Sequence, residues 1–71
     1  MKCQVEISDE VFIDGEIRVL RAPVGKSDFV WRWVVNFESN GFQITKRNTI
    51  ELKTEARAYE DAKKHGVIFI K

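Results

Sequence analysis

Residues 28–51 read DFVWRWVVNFESNGFQITKRNTIE, and their alternation decides the fold. Side chains in a strand point to opposite faces in turn. Phe29, Trp31, Trp33, Val35 and Phe37 therefore share one face, and Val30, Arg32, Val34 and Asn36 share the other. Asn40-Gly41 supplies the positive φ angles that a tight hairpin turn requires. A two-residue loop sets Phe37 opposite Ile44, a four-residue loop sets it opposite Phe42, and both registers keep the same facing. Phe42, Ile44 and Ile50 then join the aromatic face, interrupted by Lys46 and Asn48. Gln43, Thr45, Arg47 and Thr49 join Arg32 and Asn36. An antiparallel sheet commonly buries one face and wets the other. Five large side chains on one strand mark the aromatic face as the buried one, with Trp31 and Trp33 expected in the core. In the two-residue register Arg32 faces Thr49 and Arg47 faces Val34, so the two arginines are diagonal neighbours on the open face.

The flanking segments complete the sheet. Residues 1–7 alternate Cys3, Val5 and Ile7 against Lys2, Gln4 and Glu6, the pattern of a half-buried strand. Asp14-Gly15 between two apolar runs signals a second hairpin, pairing Phe12 with Ile17. Pro23, Gly25 and Ser27 mark residues 22–27 as a loop. Thr54 is the expected N-cap of a helix that presents Ala56, Tyr59 and Ala62 to the aromatic face. Gly66 follows Lys63-Lys64-His65 as a C-cap. Val67-Ile68-Phe69-Ile70 then forms a short buried strand, the alternative being a helix that continues through Gly66. The fold expected is α+β: one small domain over residues 1–71, with a four- or five-stranded, mainly antiparallel sheet packed on one face by a C-terminal helix.

Composition excludes several classes. The 44% hydrophobic content argues against disorder, and a net charge of +1 argues against a general polyanion binder. Cys3 stands alone, so no intramolecular disulfide or cysteine metal cluster forms. His65 stands alone too, which removes multi-histidine metal sites, and beside Lys63 and Lys64 it is expected as a helix-end cation rather than a catalytic base. The glycines are isolated, so no phosphate-cradling loop is present. Neither an apolar run of spanning length nor a signal-peptide core is visible, and a cytoplasmic location is expected. No catalytic role, cofactor or metal is expected. What remains is a flat sheet face bearing Arg32, Asn36, Gln43, Thr45 and Arg47.

The stretch from Trp31 to Gly66 has an aromatic strand, an Asn-Gly turn, a Lys-Arg strand, then Thr-Glu-x-x-Ala-Tyr into a helix. It resembles the AP2-type DNA-binding domains and the amino-terminal domains of tyrosine integrases, over roughly half the chain. In those families the sheet face away from the helix enters the major groove. The resemblance implies that Arg32, Gln43, Thr45 and Arg47 meet DNA. The residues themselves favour a non-enzymatic binding module, a protein-interaction, adaptor or inhibitor protein of bacterial or phage type. Nucleic-acid binding through the outer sheet face is the alternative. A homodimer is expected, formed through an edge strand or the apolar tail.

Overall fold

The Asn-Gly and Asp-Gly dipeptides have opposite fates. In the computed structural model, which describes residues 1–70, Asn40 and Gly41 take φ of 53° and 83°. They close a two-residue turn between β3 (Asp28–Ser39) and β4 (Phe42–Arg47). Phe37 pairs with Ile44, and Val34 with Arg47. Asp14-Gly15 makes no turn. It lies inside β2 (Val11–Val24), 14 residues without a break. The first reversal comes at Asp9-Glu10, after β1 (Lys2–Ser8), where Glu10 takes φ 60°. The reason lies across the sheet. A Cβ on Gly15 would sit 2.9 Å from the Asn36 carbonyl oxygen and 3.2 Å from Phe37 Cβ. Glycine is needed for that close approach, and tertiary packing overrides the local turn preference. The next connection is shorter than its composition predicts. β2 runs through Pro23, paired with Phe29, and the turn is Gly25-Lys26-Ser27.

The five strands form one sheet in the order β4-β3-β2-β1-β5, with every neighbouring pair antiparallel. Helix α1 (Glu55–Lys64) crosses one face from the β4 side and delivers β5 (Val67–Phe69) to the free edge of β1. The architecture is α+β. Thr54 caps the helix, its hydroxyl oxygen accepting from Arg57 N at 3.2 Å. The helix ends before Gly66, at φ 88°, and the tail is a strand rather than a helical extension. Only Val67 of the tail is buried. Ile68 and Ile70 are exposed, and Phe69 packs its ring 5.1 Å from that of Tyr59.

The stripe the helix turns to the sheet shares only Ala62 with the one its spacing suggests. Ala58, Asp61 and Ala62 are buried, Ala56 is exposed and Tyr59 is half-buried. Trp33, Ile17, Val5, Val35 and Cys3 are enclosed beneath it. Trp31 is only half-buried. The helix packs against β2, β3 and β5, so the apolar side chains of β4 lack cover. Phe42 is 73% exposed, and Ile44, Ile50 and Phe29 also meet solvent, contrary to their expected burial.

Beyond Arg47 the ladder breaks. Asn48 Oδ1 accepts the Trp33 backbone N–H at 3.1 Å, while its amide donates to the Ile50 carbonyl at 2.8 Å. The chain bulges outward and returns at Leu52, whose carbonyl accepts the Trp31 N–H at 2.7 Å. Leu52 takes the core place that strict alternation assigned to Ile50. Thr49 consequently pairs with nothing in the ladder, and the cross-strand neighbour of Arg32 is Leu20 on β2.

Candidate functional site

The sheet face opposite the helix is open. Paired residues on neighbouring strands share a face, so the registers place Arg32, Asn36, Gln43, Thr45 and Arg47 together there, all exposed. Thr45 Oγ1 donates to Asn36 Oδ1 at 2.7 Å, tying β3 to β4. Arg47 lies opposite Val34, and Arg32 is its diagonal neighbour.

The same register adds Arg18 to the site. Arg18 on β2 faces Val34 from the other side, so Arg18 and Arg47 flank that valine about 10 Å apart, two strand spacings. Among the described residues none of these three arginines forms a salt bridge. Like charges so placed raise a local positive potential that a carboxylate or phosphate would relieve. Arg18 escaped the sequence reading because its place depends on the β2–β3 register, and the apparent Asp14-Gly15 turn hid that register.

A groove of about 480 Å³ adjoins this cluster, lined by Val24, Arg32, Val34, Arg47, Ile50 and Glu51. Glu51 is engaged by Lys53 at 3.4 Å. Val30, expected on display, also lines the groove but is buried, beside the bulged 48–51 segment.

Farther along the strands the same face turns acidic. Asp14 and Glu16 on β2 and Glu38 on β3 line a second hollow, of about 530 Å³, with Lys2, Asn36 and Gln43. Gln4 Nε2 donates to Asp14 Oδ1 at 3.3 Å, and the Met1 ammonium reaches Glu16 at 3.1 Å. Glu38 makes no salt bridge among the described residues. The outer face is therefore two-poled along the strand direction, with arginines toward the Gly25 end and carboxylates toward the other.

The helix side holds a different polar arrangement. Trp33 Nε1 donates to Asp61 Oδ2 at 2.9 Å. His65 Nδ1 lies 2.8 Å from the Asp61 carbonyl oxygen, and its ring centroid is 5.5 Å from that of Trp33. A carbonyl only accepts, so Nδ1 carries the proton. Asp61 lies outside the Ala56, Tyr59 and Ala62 stripe that helical spacing suggests. The signal that locates it is the buried indole N–H, which needs an acceptor within reach. Trp33 and Asp61 are buried while His65 stays exposed at the end of the helix, and the indole–carboxylate bond serves packing. Burial pushes the Cys3 thiol above its ordinary pKa, reinforced by nearby Glu16. Among the described residues no group of His, Cys, Asp and Glu is placed to hold a metal ion, and no helix is long and apolar enough to cross a membrane.

No family model matches this chain, and neither curated proteins nor solved structures give a match.

Proposed function

We propose that this protein is a non-enzymatic, cytoplasmic interaction module, an adaptor or inhibitor, whose outer sheet face binds an acidic protein surface. One observation carries the reading. Arg18, Arg32 and Arg47 cluster around Val34 on an open face without salt bridges among the described residues. Arginine forks suit carboxylates, and the adjoining groove offers Val24 and Ile50 as apolar contacts of the kind that accompany a protein interface.

Nucleic acid fits less well. A polyphosphate backbone lying along the strands would meet Asp14, Glu16 and Glu38 on the same face, and affinity for nucleic acid comes mainly from cations along its track. The test is affinity capture from the producing cells, comparing the wild type with Arg32→Ala/Arg47→Ala, beside a gel shift with mixed duplex DNA. A captured protein lost with the folded double variant, and no duplex shift, is the expected result. An unchanged capture, or a duplex shift that the variant abolishes, overturns it.

A further inference from the structure

We infer that the acidic surface this face recognises is the outer face of a second copy, giving an isologous dimer packed sheet to sheet. The inference rests on reading that face as a partner-binding surface. A two-fold interface must be complementary to itself, and the two-poled face meets that condition in one orientation. Consider an axis in the interface plane, running across the strands between the Glu16–Asn36–Thr45 row and the Arg18–Val34–Arg47 row. Rotation about it keeps each strand opposite its own counterpart and exchanges the two ends.

Arg18 then faces the second copy's Glu16, two positions away on the same strand. Arg32 faces the second copy's Glu38 by the same operation on β3. Phe12, exposed at the acidic end of β2, meets the second copy's Ala22. Each contact occurs twice. An axis along β3 would instead set Arg32 on Arg32, Glu38 on Glu38 and Arg18 on Arg47, so charge selects the crossing axis. The two hollows add a shape argument, since each copy's arginine pole would enter the other's acid-lined hollow. The molecule measures 42 × 21 × 21 Å. A face containing its long axis is on the scale of the roughly 800 Å² per partner that stable interfaces bury. Aligned sheet packing, with strands about 30° apart, accommodates the twist of both copies.

The experiment is sedimentation velocity from micromolar to submillimolar concentration, at low and high salt. Three samples are run: wild type, the arginine reversal Arg18→Glu/Arg32→Glu, and the carboxylate reversal Glu16→Arg/Glu38→Arg. All four positions are exposed, and circular dichroism checks folding. The wild type should dimerise, more weakly at high salt. Each reversal alone should weaken dimerisation by at least about tenfold, and an equimolar mixture of the two should form a heterodimer. Should a double reversal fail to fold, the single Arg32→Glu and Glu38→Arg variants supply the same mixing test. A monomeric wild type at submillimolar concentration and low salt overturns the second copy as partner. The arginine face as a site for another acidic protein then stands or falls on the capture test above. A dimer that both reversals leave intact also overturns the inference, placing the contact at the β4 edge or the Phe42 patch.

Discussion

The indole N–H of Trp33 on β3 donates to the Asp61 carboxylate on the helix at 2.9 Å, and both residues are buried. This bond fixes which side of the helix meets the sheet, because a buried carboxylate and a buried indole each need the other. Asp61→Ala leaves the indole donor unpaired and should cost about 1–3 kcal/mol. Asp61→Asn keeps an acceptor oxygen and should cost less. Trp33→Ala should cost about 3–5 kcal/mol, enough to unfold a chain of this size. Urea titration of the variants checks the order, and an Asp61→Ala midpoint equal to wild type would refute it.

Gly15 and Gly25 make a paired test of why each glycine is there. Gly15→Ala drives a methyl against the Asn36 carbonyl oxygen at 2.9 Å, backbone that cannot swing aside. It should destabilise by about 1–3 kcal/mol. At Gly25, φ is 69° but nothing lies within 4 Å of the added Cβ, so Gly25→Ala carries only the left-handed backbone cost, about 1–2 kcal/mol. The clash should also reach the pairing of β2 with β3. Amide exchange across that pair should therefore accelerate in Gly15→Ala and stay local to the turn in Gly25→Ala. Equal exchange maps would contradict this.

Cys3 is 1% exposed, and burial raises its thiol pKa. Less thiolate at neutral pH and no access together predict slow reaction with a thiol-directed disulfide reagent. Labelling should accelerate only as urea unfolds the chain. Rapid labelling of the folded protein would show that the β1–helix interior opens readily.

The β3–β4 hairpin was legible because its determinants are local. Alternation sets the faces, Asn40-Gly41 sets the turn, and the Val34–Arg47 pairing follows. Thr54 and Gly66 were legible for the same reason, as caps act within a turn of helix. The misreadings were all tertiary. Asp14-Gly15 carries a turn signal, yet Gly15 serves Phe37 on another strand. Ala56, Tyr59 and Ala62 make as good a helical stripe as Ala58, Asp61 and Ala62, and only the Trp33 indole decides between them. Ile50 yields its core place to Leu52 because Asn48 interrupts the ladder. Arg32, Asn36, Gln43, Thr45 and Arg47 were read onto the correct face, whereas Arg18 and the carboxylate pole needed the β2–β3 register.

Arginine footprinting distinguishes the outer face from the helix side as the place where a partner binds. Phenylglyoxal modifies accessible guanidinium groups, and mass spectrometry reports each position. Arg18, Arg32 and Arg47 lie on the outer face, Arg21 sits over Phe29 on the helix side, and Arg57 is on the helix. In the complex obtained by capture or self-association, the first three should be protected while Arg21 and Arg57 react as in the free protein. Protection confined to Arg21 or Arg57, or none at Arg18, Arg32 and Arg47, would contradict the account.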